Sequence, residues 1–226
     1  MIDDGLLHHH VLTFLVEHGH APEVRSLAAA MQAAEPEIEA GLARLHDGHG
    51  LVLHPDSHRV WIAHPFANFP TGFWVTSARG SWWGNCAWCS LGVAALVGGD
   101  VAIHSTLGAE SERVTLHVRD GRVVEDDLVV HFPLPPARAW ENVVYYCSMV
   151  LLFRGEDEVT SWSERHAIPR GAVVPVTQVW ELARLWYGRH LAPDWRKWTT
   201  AEAQEIFDRA GLRDAFWELP TTREHF

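Results

Sequence analysis

The 226-residue sequence predicts an α+β fold, and three observations support that class. The composition, 47% hydrophobic and 21% charged, is that of a chain that folds around its own core. Three helical patterns followed by two short strands open the chain, which is the order of a winged helix. From about residue 72 onward, further strands and helices follow one another. A mixed architecture follows from these patterns.

The N-terminal part, residues 1–64, is predicted to be a winged-helix-like domain. An apolar stripe with helical spacing covers residues 7–18. Helices are then expected at 21–34 and from residue 35, each with a proline in its first turn, where proline is tolerated. A proline-containing turn at 55–57 separates the two strands, which are expected at 51–54 and 59–63.

The charge of the third helix argues against nucleic-acid binding. This helix carries Glu35, Glu37, Glu39 and Asp47 against Arg44 alone, and the whole chain has a formal net charge of −11. Phosphate would be repelled by such a surface, and anionic membranes would be repelled in the same way. We therefore expect no nucleic-acid partner and no membrane partner, and a structural or docking role for the winged helix.

Residues 65–71 are predicted to be a linker, because two prolines and an asparagine interrupt regular structure there. A core domain is expected over 72–226. Its predicted strands cover 73–77, 100–105, 113–118 and 128–132. Its predicted helices cover 87–97, 161–166, 179–191 and 200–210. The aromatic and β-branched stretch 142–153 fits either a buried helix or a strand.

The sequence favours a cytoplasmic protein that keeps its thiols free. No run of 18 apolar residues is present, and the chain opens on acidic residues where a secretion signal would be basic. Three cysteines are too few for a disulfide scaffold, and in a reducing compartment they are expected to be free. The oligomeric state stays open.

The cysteines are the residues most indicative of chemistry. Cys86 and Cys89 form a Cys-x-x-Cys pair among tryptophans, and Cys147 lies in a second apolar segment. Such a pair serves thiol–disulfide exchange, half of a zinc site, or capture of a soft metal ion. No second Cys-x-x-Cys is present, so a four-cysteine zinc site is excluded. A site of three cysteines and one unidentified histidine stays open, as does plain core packing.

Several neighbours are candidates for supporting roles. Asn85 is expected to cap the following helix, which would place both thiols at its positive end and favour thiolate. Trp82, Trp83 and Trp88 are candidates for the walls of an apolar pocket. His104 and His166 are candidates for histidine partners of the thiols, and Tyr145 and Tyr146 lie beside Cys147 in the sequence. Core packing is the alternative role for the aromatic residues.

Four motifs give the chain a family resemblance. They are Ala63-His64-Pro65-Phe66, Asn85-Cys86-Ala87-Trp88, Val144-Tyr145-Tyr146-Cys147 and Ser161-Trp162-Ser163-Glu164-Arg165-His166. On these motifs the chain resembles the organomercurial (alkylmercury) lyases, from its N-terminus to about residue 191. The resemblance implies a winged-helix part that does not bind DNA, packed on a mixed core of antiparallel strands and helices.

The resemblance also implies a reaction. In the family, one cysteine thiolate attacks the mercury of R–Hg⁺, a second thiolate joins, and an aspartate relays a proton to the leaving carbon. Cys86 matches the first cysteine and Cys147 the second, while Cys89 stands at the aspartate position. The predicted catalytic and metal-binding residues are therefore Cys86, Cys89 and Cys147. The implied partner is a small organometallic compound or soft metal ion, with no cofactor required and Hg²⁺ or another thiophilic ion bound.

The cysteine at the aspartate position leaves several functions open. A thiol with a pKa of about 8.5 can donate a proton, so Cys89 could act as the proton relay. As a third soft ligand it would instead hold a metal ion more tightly, and it could form a disulfide with Cys86. The alternatives to a lyase are a non-catalytic three-thiol binding protein, a family member with another thiol reaction, and a transcriptional regulator.

Overall fold

The computed structural model describes residues 2–221 and 225 and confirms the α+β class. The helices of this part are α1 (Asp4–His18), α2 (Val24–Met31), α3 (Glu35–Asp47), α4 (Ala87–Val97), α5 (Val143–Ser148), α6 (Glu156–His166), α7 (Val176–Tyr187) and α8 (Thr200–Arg209). Short 3-10 helices cover Pro136–Glu141 and Ala215–Trp217.

The strands form two antiparallel sheets. They are β1 (Val52–Leu53), β2 (Val60–Ala63), β3 (Phe66–Ala67), β4 (Trp74–Ser77), β5 (Gly80–Gly84), β6 (Val101–Thr106), β7 (Arg113–Arg119), β8 (Arg122–Val123), β9 (Val129–Phe132), β10 (Leu151–Phe153) and β11 (Ala172–Pro175). In the described part of the chain, the larger sheet has the order β1-β2-β3-β5-β4-β6-β7-β8 and the smaller the order β10-β9-β11.

The three N-terminal helices pack on one another, and their ends follow local capping. Asp3 caps α1 by accepting a hydrogen bond from the Leu6 N–H at 2.7 Å, and Gly19 ends α1 in the left-handed conformation. The second helix begins at Val24 rather than at residue 21, because Glu23 is still extended (φ −77°, ψ 156°). The predicted start of this helix was therefore wrong by three residues.

The larger sheet crosses the predicted domain boundaries. It takes β1 and β2 from residues 1–64, β3 from the predicted linker 65–71, and the remaining strands from beyond residue 72. The linker is thus not free of regular structure. The division into two domains and the winged-helix assignment stay predictions.

Strand β5 was not predicted, although it positions the site. Glycines begin and end it, and glycine is depleted in strands. Its central Trp82 is buried and donates a hydrogen bond from Nε1 to the Leu15 carbonyl at 2.8 Å. That bond joins the N-terminal helices to the sheet from which α4 departs.

The ambiguous stretch 142–153 contains both kinds of structure. Asn142 caps the short helix α5 by accepting from the Tyr145 N–H at 3.0 Å, and the strand β10 follows after a turn at Met149 and Val150. Cys147 lies in the last turn of this helix. Hydrophobic periodicity cannot decide between helix and strand here, because neither element is long enough to show its repeat.

Helix α4 is the buried centre of the protein. It packs against α7 and β5, and most of its residues have little exposed surface. Its small side chains allow this close packing: a Cβ added at Gly92 would overlap the Tyr187 ring and come within 3.0 Å of the Pro65 Cβ. No helix among the described residues combines the length and the apolar character needed to cross a bilayer.

Replacing Gly92 by alanine is expected to lower the free energy of unfolding by about 1–3 kcal/mol, the usual cost of overpacking a core. Denaturant unfolding measures this change. Gly72→Ala is the matched control, because an added Cβ there meets no atom within 4 Å. Equal stability of the two variants would contradict the close packing of α4 on Tyr187.

Candidate functional site

Two of the three cysteines occupy the N-terminus of α4. Cys86 is the N-cap residue, and its Sγ accepts a hydrogen bond from the Cys89 N–H at 3.3 Å. The expectation that Asn85 caps this helix is wrong, because the helix begins at Ala87 and the cap position falls on the next residue. Asn85 instead points its amide nitrogen at His64 Nε2, 3.3 Å away.

The third cysteine approaches from α5. The Ala87 N–H donates to the Val150 carbonyl at 3.0 Å, which holds the chain after α5 against the start of α4. The Sγ atoms of Cys89 and Cys147 lie within 4.8 Å of each other, and the Cys86 Sγ lies 3.3 Å from the backbone nitrogen of Cys89. All three are free cysteines, with exposed fractions of 0% for Cys86, 1% for Cys89 and 5% for Cys147. The structure therefore brings the predicted residues together in one buried cluster.

The three thiols differ in acidity. Burial raises the pKa of Cys86 well above its usual value. Hydrogen bonds with Cys86 and Cys89, together with burial, raise the pKa of Cys147. Burial opposes ionisation of Cys89 as well, but hydrogen bonds from Cys147 and Cys86 outweigh it and hold the pKa of Cys89 well below its usual value. The site thus favours ionisation of Cys89 over that of the other two thiols.

Two further residues complete the surroundings of Cys89. The Tyr187 hydroxyl lies 3.5 Å from the Cys89 Sγ, and the ring nitrogen Nε2 of His64 lies 3.9 Å from the Cys147 Sγ. Ligand atoms of His64, Cys89 and Cys147 all fall within 4.8 Å of one another, close enough to hold one metal ion. Burial lowers the pKa of His64, so its imidazole is neutral at neutral pH and offers Nε2 as an acceptor.

Sequence reasoning missed both of these residues. His64 stands beside Pro65 at the edge of the predicted linker, and no spacing pattern links it to a cysteine. Tyr187 is separated from Cys89 by 98 positions along the chain. The His64-Pro65 motif in the family resemblance was the available signal for the histidine, whereas only the packing of α7 on α4 reveals the tyrosine.

Cys89 and Cys147 lie at the floor of a cavity of about 80 Å³. Aromatic rings dominate the walls, and no aspartate or glutamate occurs among the described lining residues. The lining consists of His49, Gly50, His64, Trp88, Cys89, Ala139, Trp140, Val143, Tyr146, Cys147, Trp186, Tyr187, His190, Trp195, Lys197 and Trp198. Cys89 and Cys147 face this space, while Cys86 lies behind them.

Only some of the aromatic residues that we predicted to lie around the thiols line the cavity. Trp88 and Tyr146 line the cavity, but Trp82 is bonded to α1 and Trp83 contacts Trp74. Tyr145 is 50% exposed.

The two predicted histidine partners lie elsewhere. His104 contacts Thr76 and Thr115 on the larger sheet, and His166 pairs with Glu110 at 3.0 Å. Neither lines the cavity, so the expectation that they support the thiols was wrong. The sequence contains 16 histidines, so the presence of a histidine in a sequence motif does not show that it lies near the thiols.

Comparisons with known proteins agree with this geometry. The family model described as alkylmercury lyase matches residues 66–188. A solved structure, the crystal structure of the mercury-bound form of MerB2, superposes with a TM-score of 0.63 at 19% sequence identity, covering 84% of this chain and 91% of that chain. At this identity the likeness shows a shared fold. The comparison with curated proteins gave no match. Since the family model spans more than half of the sequence, the chain belongs to the alkylmercury lyase family.

Proposed function

We propose that this protein binds organomercurials at Cys86, Cys89 and Cys147 and cleaves their carbon–mercury bond by protonolysis. The observation that carries the proposal is the meeting of three buried free cysteines at an aromatic cavity, with the Sγ atoms of Cys89 and Cys147 within 4.8 Å of each other. Thiolate sulfur is the preferred ligand of soft metal ions. Family membership supports the reaction type.

Capture begins at the thiol that is both ionised and open to the cavity. Cys89 meets both conditions, because its pKa is lowered and it lines the cavity. Its thiolate attacks the mercury of R–Hg⁺ and forms an S–Hg bond, while the organic group lies among the tryptophan rings. Sequence position gave Cys86 as the first nucleophile, but its place behind the other two thiols favours Cys89 for first contact.

The proton for the leaving carbon comes from a second thiol. Cys147 stays protonated because its pKa is raised, and it also faces the cavity. As its sulfur binds mercury, its proton passes to the carbon, with His64 Nε2, 3.9 Å from the sulfur, as the carrier. The electron pair of the C–Hg bond forms the new C–H bond. The products are R–H and Hg²⁺ held by two thiolates, with no change of oxidation state.

Binding without turnover is the second candidate function. The third thiol favours it, because Cys86 lies in the same buried site, with its Sγ 3.3 Å from the Cys89 backbone nitrogen, and can join the ion as an additional soft ligand. A protein of this kind would keep Hg²⁺ or another thiophilic ion and release it slowly. Either function needs reduced thiols and fits a cytoplasmic location, with no cofactor required.

Cys89→Asp is expected to raise steady-state benzene release from phenylmercury on the order of tenfold, when excess small thiol removes the product ion. In this variant Cys147 and Cys86 hold the mercury and the carboxylate relays the proton, and Hg²⁺ leaves faster because the third soft ligand is gone. Headspace gas chromatography measures the benzene. Cys89→Ser, which supplies neither a carboxylate nor a soft ligand, is the matched control. Absence of benzene from both the native protein and the aspartate variant would refute the lyase proposal.

Tyr187→Phe is expected to slow phenylmercury capture at pH 7 by about tenfold, because a hydrogen bond to a charged group is lost. Without the Tyr187 hydroxyl, which lies 3.5 Å from its Sγ, Cys89 has a higher pKa. Its thiolate is therefore protonated at a higher pH when the solution is acidified. Stopped-flow tryptophan fluorescence across pH measures this shift. Tyr145→Phe, on the exposed side of α5, serves as control. An unchanged pH profile in Tyr187→Phe would mean that Cys89 is not the capturing thiolate.

A further inference from the structure

Three side chains at the cavity bring their ligand atoms close together: His64, Cys89 and Cys147. These atoms all lie within 4.8 Å of one another, and the His64 Nε2 is 3.9 Å from the Cys147 Sγ. In a tetrahedral zinc site, bonds of about 2.3 Å to sulfur and about 2.0 Å to nitrogen place neighbouring ligand atoms about 3.6 Å apart. Small movements of the side chains therefore suffice to close all three around one ion.

Cys86 stands outside this group of ligand atoms. It is fully buried, and its Sγ caps α4 from a position 3.3 Å from the Cys89 backbone nitrogen. It is also not among the described residues that line the cavity, whereas His64, Cys89 and Cys147 all are. The geometry thus separates one cysteine that caps a helix from two cysteines that can hold an ion.

The chemistry of the three ligands selects the class of ion. Two thiolates and one neutral imidazole give a divalent ion a complex without net charge, which avoids the cost of a buried, unpaired charge. No aspartate or glutamate occurs among the described lining residues, so hard ions such as Mg²⁺ and Ca²⁺ find no carboxylate here. Thiolate sulfur and imidazole nitrogen are the usual ligands of zinc in proteins.

We propose that His64, Cys89 and Cys147 form a zinc site. Two Zn–S bonds form as the two thiols give up their protons to solvent, and a ring nitrogen of His64 donates its lone pair to the ion. Zinc then replaces the present contact between His64 Nε2 and the Asn85 amide nitrogen, which are 3.3 Å apart. Because all three ligands line the cavity, the fourth position of the ion faces it and takes water or a small ligand.

Zinc and organomercurials need the same two sulfur atoms, since capture also uses Cys89 and Cys147. The zinc ion in addition occupies His64, the proposed carrier of the proton. The zinc-loaded protein therefore captures no phenylmercury until the ion leaves. This competition rests on the proposed function, whereas zinc binding itself does not.

Titration of the reduced, metal-free protein with Co²⁺ tests the ligand set, because cobalt occupies zinc sites and its absorption spectrum reports its ligands. We expect one ion per chain, with the strong visible bands of a four-coordinate ion and the charge-transfer absorption of two thiolates. Cys86→Ser should keep this spectrum, because the sulfur of Cys86 is not a ligand. The charge-transfer absorption of three thiolates, or the weak visible bands of a six-coordinate ion, would overturn the proposal.

Substitution of the histidine tests its part in the site. His64→Ala is expected to weaken zinc binding by more than about a hundredfold, since loss of even an outer partner of a ligand costs about 10–100-fold. Competition with a chromophoric chelator measures the affinity. His49→Asn is the matched control, because His49 also lines the cavity but lies outside the group of ligand atoms. Cys147→Ser, a second variant, should lose the charge-transfer absorption of one thiolate. Native zinc affinity in either His64→Ala or Cys147→Ser would contradict the proposed ligands.

Zinc binding and the lyase reaction can fail separately. If the cobalt spectrum of two thiolates forms but the metal-free protein releases no benzene from phenylmercury, the lyase proposal alone is refuted. If benzene is released but neither Co²⁺ nor Zn²⁺ binds, the zinc proposal alone is refuted.

Discussion

The hydrogen bond from the Ala87 N–H to the Val150 carbonyl, 3.0 Å long, is the contact on which the site depends. It holds the chain that follows α5 against the first turn of α4, and so brings Cys147 to Cys86 and Cys89. A second backbone bond, from the Asn85 N–H to the Pro65 carbonyl at 3.1 Å, positions the segment that carries His64. Thiols from distant parts of the chain meet because these backbone groups are paired.

Replacing a carboxylate by a thiol leaves a group that can exchange a proton but adds a soft ligand to the site. In the family pattern the third group is an acid that gives and takes a proton, and a thiol does the same at a higher pKa. Hydrogen bonding at the site lowers the pKa of Cys89, so that capture can begin at neutral pH. The difference lies in the affinity for soft ions. A third sulfur holds the product more tightly.

The cysteines of the site could be predicted from the sequence more reliably than the residues that surround them. Three cysteines in 226 residues, two of them in one motif, are rare enough to be noticed, and the bounds of α4 were predicted correctly from its apolar run. The cap was misplaced by one residue, because a cysteine is an uncommon N-cap and Asn85 is a preferred one. Tyr187 could not be found, since its distance from Cys89 is set by the packing of α7 on α4 and by no local pattern.

Protonolysis requires that an exchangeable proton, here a thiol proton, reaches the carbon of the bound organomercurial. A single turnover of phenylmercury in D₂O, with protein in excess, tests it most directly, because thiol hydrogens exchange fully with the solvent. We expect one monodeuterated benzene per mercury, with the Hg²⁺ retained on the protein. Recovery of intact phenylmercury from the unfolded complex, with no benzene formed, would contradict it.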